Sequence, residues 1–350
     1  MSIYLGVDYA KRFSVATLVS ETGEIVKRGK LTNRRGSFET FLSGFQGVQA
    51  VVEAGRHWRV VVELLEGLVD GIKLAHPLKV KAIAEAKVKT DAIDSETLAQ
   101  LLRANLIPEA HLRSKESGNR QRIIRSRSFY VRLRTKVRNR IHHLIDGQGE
   151  EIRSEVARFS DLFGRKGKQW LRQLELQQPD ENMLEELLES EEFLCKRIQG
   201  SDAAVKDLFD NDEDCKRVAS IPGFGQFLSA LIVVEIDGID RFTSASKLAS
   251  YAGLVPSTYS SGGHTWHGKI HKQGNKWLRW AFVEAAIHAS AVRGDIRTFY
   301  FRIKRKKGTK IARVATARKL CGIVFRILKE KSQYQPFMKW RSRLQFASSV

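Results

Sequence analysis

Four acidic residues in the first hundred positions are of a type, and at a spacing, that allow a shared catalytic or metal-binding role. Asp8 and Glu53 each end an apolar segment with a strand pattern, and Asp91 and Asp94 open a segment with a helix pattern. Side chains at strand ends line the crevice of an α/β sheet, and residues three apart share one face of a helix turn. The sequence therefore predicts that these four side chains can converge.

Convergent carboxylates repel one another and need a cation. A ligand set made only of oxygens favours Mg²⁺ or Mn²⁺, and two such ions about 3.5–4 Å apart clamp the attacking and leaving oxygens of a phosphodiester. Taken singly, Asp8 is better explained as a turn or cap residue than as a ligand, and Asp91 is better explained as a helix N-terminal charge favoured by the macrodipole. The metal-site prediction rests on the ordered set.

The elements that must position these carboxylates follow a simple alternation. Strand patterns, broken by helix patterns at 37–45 and 58–69, lie at 3–8, 13–19, 23–31, 49–53 and 71–75. Strands alternating with helices predict an α/β layer fold for this part of the chain.

A second polar segment, Ser257–His264, lies between an apolar and a basic helix pattern. We interpret 253–268 as a loop. His264, His267 and His271 have spacings that suit a metal, but no cysteine or carboxylate is nearby. Contacts to phosphate or nucleic acid are therefore favoured over zinc.

The middle of the chain predicts two long helices of opposite charge. Residues 113–140 hold eleven Lys and Arg and one acid, Glu116, with an apolar stripe at Phe129, Leu133, Val137, Ile141 and Leu144. A phosphate-backbone track is favoured over a merely solvated face. The acidic, leucine-rich segment 173–214 can pair with this helix as an antiparallel coil, although a helix of a second copy is equally allowed.

Other residues suit binding to nucleic-acid phosphates. The turn at 220–225 presents backbone N–H groups at a helix start, although an ordinary tight turn explains it equally well. The predicted nucleic-acid contacts are Arg122, Arg125, Arg132, Lys136, Arg140, Gly223, Gly225, His264, Lys272, Lys304, Arg305 and Lys306.

Composition limits the classes of function. The 350 residues predict two or three domains, and 60 Lys and Arg against 39 Asp and Glu give a net charge of +21. Such an excess favours a nucleic-acid partner over a membrane surface, and no apolar run reaches transmembrane length. Three widely spaced cysteines and the absence of a signal-peptide pattern predict a cytoplasmic protein with reduced thiols.

In order and spacing, the motifs resemble those of the DEDD transposases of bridge-RNA-guided insertion sequences, relatives of the Piv-type invertases. The resemblance runs from Asp8 to about Leu328. Its motifs lie at 6–8, 51–55, 89–94, 221–225, 251–256, 261–263, 268–270 and 272–279.

The resemblance implies a RuvC-like (RNase H-like) α/β domain at 1–108, a helical coiled-coil linker at 109–214 and a mainly α-helical transposase domain at 215–335. A tail at 336–350 remains. It also implies that Asp8, Glu53, Asp91 and Asp94 bind the metal. Ser261 is implied as a serine nucleophile, with Ser260 as its rival one residue away.

The implied activity is RNA-guided DNA recombination through a phosphoserine intermediate, with Mg²⁺ assistance. The implied partners are donor and target DNA, a structured guide (bridge) RNA, and further copies of the chain in a dimer or tetramer. Two alternatives use the same residues: a RuvC-like junction nuclease that acts by hydrolysis, and a non-catalytic binding protein that keeps the carboxylates as remnants.

Overall fold

The computed structural model describes residues 2–84, 90–261, 263–270 and 273–336. The chain divides into two compact units, 1–113 and 114–350. The first contains the α/β region that the strand patterns predict, and the second is mostly helical, in agreement with the predicted fold class. The finer boundaries at 108, 214 and 335 stay predictions.

The first unit is built on a six-stranded mixed sheet in the order β3-β2-β1-β4-β5-β6. Strand β1 is parallel to β4, which is parallel to β5, and the pairs β1–β2, β2–β3 and β5–β6 are antiparallel. The strands are β1 (Ile3–Tyr9), β2 (Phe13–Val19), β3 (Ile25–Thr32), β4 (Val48–Glu53), β5 (Gly71–Ala75) and β6 (Glu109–Ala110).

Helices cover both faces of this sheet. Helices α1 (Arg35–Leu42) and α2 (Trp58–Leu65) share a core with the inward side chains of β1 and β4 on one face. Helices α3 (Pro77–Ile83) and α4 (Asp91–Arg103) pack on the other face. Alternation along each strand sends neighbouring residues to opposite faces, so a layer of helices on each side follows from strands that are buried on both faces.

The second unit contains a helical region with one β-hairpin. Its core cluster joins α10, α12 and α13 to Ile124 of α5 and Val205 of α8. In chain order its elements are α5 (Lys115–Asp146), α6 (Glu150–Val156), α7 (Arg165–Gln173), α8 (Asp180–Asp210), α9 (Glu213–Ala219), α10 (Gln226–Ile236), a 3₁₀ turn (Ile239–Arg241), α11 (Ala245–Tyr251), β7 (Pro256–Ser261), β8 (His264–Ile270), α12 (Lys276–Ala291) and α13 (Asp295–Glu330).

Helices α5 and α8 are the predicted basic and acidic pair, and they pack antiparallel within one chain. Arg127 Nε lies 2.7 Å from Asp202 Oδ1, and further along α5 Arg138 Nε lies 2.9 Å from Glu191. Partners fall along α8 as residues rise along α5, which defines the antiparallel direction. The predicted stripe is wrong at Phe129, which is 56% exposed, because Ser128 takes the inward position.

The predicted loop at 253–268 is also wrong over most of its length. Strands β7 and β8 form an antiparallel hairpin in which Tyr259 is opposite Trp266 and Ser261 is opposite His264. Two glycines lie between these strands in the sequence, and Gly263 has a φ of 80°. A glycine pair between β-branched and aromatic residues is a hairpin signal, which the abundance of serine obscures.

None of the helices in the described ranges is long and apolar enough to cross a bilayer. Cys195, Cys215 and Cys321 form no disulfide. Burial raises the pKa of the Cys215 and Cys321 thiols to about 12.

Candidate active site

Strands β1 and β4 bring the first two carboxylates to the same end of the sheet. In the parallel register Val7 is opposite Val52, so Asp8 and Glu53 occupy the next positions at the carboxyl ends of both strands. Gly6 is opposite Val51. By the two-residue alternation of a strand, Asp8 and Glu53 therefore lie on the face of the sheet to which Gly6 and Val51 belong.

Helix α4 packs on that face. A β-carbon at Gly6 would lie 2.0 Å from the backbone oxygen of Ser95 and 2.6 Å from the backbone nitrogen of Ala99. The Ser95 hydroxyl is also 2.8 Å from the Thr17 hydroxyl, in a buried hydrogen bond. The helix backbone thus rests directly on the β1 backbone, two residues before Asp8, and only glycine permits that approach.

The direction of α4 relative to β1 follows from three hydrogen bonds, two from the end of the helix to the segment 21–23 and one from that segment to the start of β1. Gln100 Nε2 donates to the Gly23 carbonyl at 2.7 Å, and Arg103 Nη1 donates to the Glu21 carbonyl at 3.2 Å. The Glu21 carboxylate in turn accepts from the backbone nitrogen of Ser2 at 2.8 Å. The end of α4 therefore lies near the start of β1, and the helix runs antiparallel to this strand.

The first turn of α4 therefore lies toward the end of β1, where Asp8 is. Thr90 caps this turn and its hydroxyl accepts from the Ile93 backbone nitrogen at 3.3 Å. Asp91 and Asp94 are both in that turn. Two strand ends and one helix start, which together hold the four carboxylates, therefore lie toward the same edge of the sheet. Convergence of the four side chains on one metal stays a prediction.

This edge does not form a complete metal cage. Among the described residues, no group of three or more His, Cys, Asp and Glu side chains is close enough to hold a metal ion. The chemistry of the donor set still suits a hard divalent cation, since all four predicted ligands are carboxylates. One neighbour that the sequence did not mark is His57, whose ring lies 6.0 Å from that of Tyr9, the residue after Asp8.

The predicted serine lies at the end of β7. The structure describes the backbone of Ser261, which is opposite His264, while Ser260 is opposite Thr265 and exposed. The aromatic pair Tyr259 and Trp266 is also exposed in the same hairpin.

Close backbone packing holds the base of this hairpin. A β-carbon at Gly268 would lie 2.4 Å from the Ser257 hydroxyl oxygen, and one at Gly274 would lie 2.4 Å from the backbone nitrogen of Gly253. The backbone nitrogen of Asn275 donates to the Tyr251 carbonyl at 2.7 Å. The segments that enter and leave the hairpin are therefore tied to each other.

A buried carboxylate that the sequence analysis missed joins this base to the basic helix. Glu235 in α10 is fully buried and accepts from Arg125 Nε at 2.8 Å, Gln121 Nε2 at 3.1 Å and Asn275 Nδ2 at 2.8 Å. Asn275 also caps α12 by accepting from the backbone nitrogen of Trp277 at 2.9 Å. A buried charge needs such partners, so this network fixes where α12 begins.

The structure gives several predicted nucleic-acid contacts internal roles as well. Arg125 donates hydrogen bonds to the buried Glu235. The Arg132 guanidinium lies 4.5 Å from the centre of the Trp277 ring. A β-carbon at Gly223 would lie 2.5 Å from the Ala285 carbonyl oxygen, so this glycine is required for packing against α12.

Two of the remaining predicted contacts have no described side chain to assess. Gly225 precedes α10 and has open space where a β-carbon would lie, and Lys272 lies outside the described residues. Exposed side chains that remain candidates for phosphate contact are Arg122, Lys136, Arg140, His264, Lys304, Arg305 and Lys306.

Two family models match this chain, each over one of these regions. A DEDD-type IS110 transposase model matches residues 5–148, which contain the four carboxylates and the basic helix. A second model, described as the transposase IS116/IS110/IS902 family, matches residues 215–301, which contain Glu235 and the serine hairpin. The chain belongs to this family of insertion-sequence transposases.

Two of the relatives of this transposase cover nearly the full chain at low identity, and a third covers two thirds of it. A probable family 20 transposase of Pseudomonas aeruginosa is 23% identical over 336 residues, which are 95% of this chain and 98% of the relative. The transposase of insertion sequence IS1111A from Coxiella burnetii is 23% identical over 347 residues, 95% and 91% of the two chains. That of IS1328 from Yersinia enterocolitica is 26% identical over 67% of each.

Family membership makes the protein an enzyme that breaks and rejoins DNA, and DNA is its substrate. The predicted DNA partner and the predicted transposase activity are thereby confirmed. The non-catalytic alternative is overturned.

Proposed function

We propose that this transposase cuts and rejoins DNA through a phosphoserine intermediate at Ser261. Asp8, Glu53, Asp91 and Asp94 would hold the divalent cation, Mg²⁺ or Mn²⁺. The observation that carries the proposal is the packing of α4 on β1 next to β4: Asp8 and Glu53 end the two strands, and Asp91 and Asp94 lie in the first turn of the helix. The strand order, with antiparallel β1–β3 beside parallel β4 and β5, supports a RuvC-like (RNase H-like) assignment.

The chemistry of the chain's own groups balances without a nucleotide cofactor. The Ser261 oxygen attacks phosphorus and loses its proton, while the bond to the 3′-oxygen of the DNA breaks and that oxygen takes up a proton. The serine then carries the 5′-phosphate as an ester, so a 3′-hydroxyl of a new strand can attack it and release the serine. When bound, the cation polarises the phosphate and offsets the charge that develops on the oxygens.

The proposed partners are donor and target DNA, a structured guide (bridge) RNA and further copies of the chain, in a dimer or tetramer that brings Ser261 and the carboxylates to one phosphate. A net charge of +21 and the exposed cations of α5 and α13 support nucleic-acid binding through the backbone. A protein that binds the phosphate backbone of nucleic acid can leave sequence choice to base pairing.

Two further parts of the proposal concern the linker and the location. The antiparallel α5–α8 pair supports the proposed coiled-coil linker, and the DNA substrate supports a cytoplasmic location.

The competing proposal is a RuvC-like nuclease that hydrolyses DNA junctions with the carboxylates alone. It is supported by the position of the carboxylates in a unit separate from the serine. The two proposals differ in whether a serine hydroxyl is needed.

Serine variants separate these two mechanisms. We expect Ser261→Ala to abolish strand cleavage and transfer on an insertion-sequence end, because it removes the nucleophile, while the neighbouring Ser260→Ala keeps both. Loss of cleavage and transfer in Ser260→Ala, with both kept in Ser261→Ala, would identify Ser260 as the nucleophile. Full cleavage in both variants would favour the hydrolytic mechanism.

A carboxylate variant tests the metal site independently. Asp8→Asn keeps the size of the side chain but removes its charge, and we expect it to abolish cleavage under either mechanism. Cleavage at the wild-type rate would reject the proposed role of Asp8. Rescue of a weakened variant by Mn²⁺ in place of Mg²⁺ would support direct coordination.

A further inference from the structure

Two large aromatic side chains face solvent in the hairpin that carries Ser261. Tyr259 is 66% exposed and Trp266 is 59% exposed, and they are directly opposite each other across β7 and β8. The His264 ring lies 6.3 Å from the Trp266 ring at an interplanar angle of 32°. Exposed apolar surface concentrated at one place typically marks a site of interaction.

The charge around this pair indicates the kind of ligand. Residues 256–276 contain no Asp or Glu, and their ionisable side chains other than tyrosine are His264, His267, Lys269, His271, Lys272 and Lys276. Aromatic rings in basic surroundings are the arrangement that binds single-stranded nucleic acid, with the cations near the phosphates and each base stacked on a ring. An apolar protein partner would gain nothing from a segment whose ionisable side chains, tyrosine aside, are all histidine or lysine.

The position along β7 indicates which nucleotide is bound. Tyr259 is two residues before Ser261 in the same strand, a separation of about 7 Å at the usual strand rise of about 3.4 Å per residue. A base stacked on this pair would therefore belong to a nucleotide next to the phosphate that the serine attacks. Strand exchange requires such bases to be unpaired.

We propose that Tyr259 and Trp266 form a stacking platform for an unpaired DNA base beside the scissile phosphate. This inference rests on the proposed role of Ser261 for its location, but the stacking itself does not require a competent nucleophile. The platform would hold the strand in place before cleavage and while the covalent intermediate persists.

Photocrosslinking tests the platform directly. Full-length protein with Ser261→Ala is mixed with an insertion-sequence end that contains an unpaired 5-iododeoxyuridine beside the cleavage position, and is then irradiated. We expect the crosslinked peptide, identified by mass spectrometry, to contain Tyr259 or Trp266. Crosslinks confined to other peptides would overturn the proposal. Because this protein lacks the serine hydroxyl, a failure of the phosphoserine mechanism would leave the crosslink unaffected.

Binding measurements with matched variants complete the test. Loss of one stacked base costs about 1–3 kcal/mol, so Trp266→Ala should weaken binding of a single-stranded oligonucleotide about 5- to 150-fold. Trp266→Phe, which keeps an aromatic face, should stay within about threefold of wild type. Phe193→Ala is the control, since Phe193 is 54% exposed on the acidic helix α8. Unchanged binding in Trp266→Ala, or a loss of self-association alone, would reject a nucleobase as the occupant.

Discussion

At the residue scale, Gly6 decides how closely α4 approaches the strand that carries Asp8. A β-carbon there would meet the backbone of Ser95 and Ala99 at 2.0 and 2.6 Å, and backbone atoms cannot move aside as a flexible side chain can. We expect Gly6→Ala to destabilise the protein by about 1–3 kcal/mol or more, because overpacking forces backbone shifts. It should also displace the turn that holds Asp91 and Asp94 and so reduce DNA cleavage.

The matched control for this prediction is Gly36→Ala. Gly36 lies in α1 and has no atom within 4 Å of a built β-carbon, so alanine should be neutral or stabilise the helix by up to about 1 kcal/mol. Thermal unfolding measures the stability of both variants relative to wild type, and a DNA-cleavage assay measures their activity. Equal stability of the Gly6 and Gly36 variants would contradict the close packing of α4 on β1.

The sequence predicted which elements hold the four carboxylates, because a strand end and a helix start are local features. Their role as metal ligands stays a prediction. The roles of Glu235 and Asn275 could not be predicted, because their hydrogen bonds join α5, α10 and the start of α12. These elements are far apart in the sequence, as the 110-residue separation of Arg125 and Glu235 shows. One available signal was the single glutamate among the apolar residues 230–236 of α10, because a buried acid needs partners.

At the element scale, a second buried carboxylate holds α5, α7 and α8 together. Glu191 is fully buried and accepts from Arg138 Nε at 2.9 Å and Lys168 Nζ at 2.5 Å. Burial acts to raise the pKa of Glu191, but the hydrogen bonds from Lys168 and Arg138 outweigh it, and the pKa is lowered. The charged form of Glu191 is therefore the one that stabilises the packing of these three helices.

This lowered pKa predicts the pH dependence of stability. A carboxyl group whose pKa is lower in the folded state stabilises the protein fully above its unfolded pKa of about 4.3 and progressively less as pH falls through the folded value. Glu191→Gln should therefore reduce unfolding free energy by about 1.5–3 kcal/mol at neutral pH, with the difference from wild type shrinking below about pH 4.3.

Thermal unfolding between neutral and acid pH measures that difference. Glu189→Gln, an exposed site on the same helix, is the control and should unfold like wild type at every pH. A stability gap for Glu191→Gln that stayed constant down to acid pH would show that the interaction removed by the substitution does not depend on the charge.

Elements with a clear period were predicted from sequence, and the hairpin was not. The strands of the sheet follow from alternation. Opposite charge allowed α5 to pair with α8 or with a helix of a second copy, and the structure shows the pair within one chain. In β7 and β8 the serines and glycines suggested a loop, and the pairing of Tyr259 with Trp266 depends on a turn whose register the sequence does not specify.

At the scale of the whole molecule, the net charge of +21 predicts how DNA binding responds to salt. Each bound phosphate releases counterions, so a protein that neutralises six to ten phosphates weakens in affinity by about 10³–10⁵ between 50 and 200 mM salt. Replacing Lys304, Arg305 and Lys306 together by alanine should reduce the slope of log affinity against log salt by about one for each phosphate that the variant no longer binds.

Fluorescence-anisotropy titrations at several salt concentrations check this prediction. Lys216→Ala is a suitable control, because Lys216 Nζ is 2.7 Å from Glu213 in an ion pair and its charge has a local partner. A wild-type slope in the triple variant would show that Lys304, Arg305 and Lys306 do not contact DNA phosphates.

Covalent attachment of DNA to the hydroxyl of Ser261 during strand exchange is what separates the proposed mechanism from hydrolysis. The most direct measurement incubates wild-type protein with an insertion-sequence end and Mg²⁺, isolates the protein–DNA species under denaturing conditions, digests it and maps the attachment by mass spectrometry. We expect a phosphate-linked nucleotide on Ser261 that is absent from the Ser261→Ala protein. Efficient strand exchange with no protein–DNA linkage, or with the linkage on a residue outside β7, would contradict it.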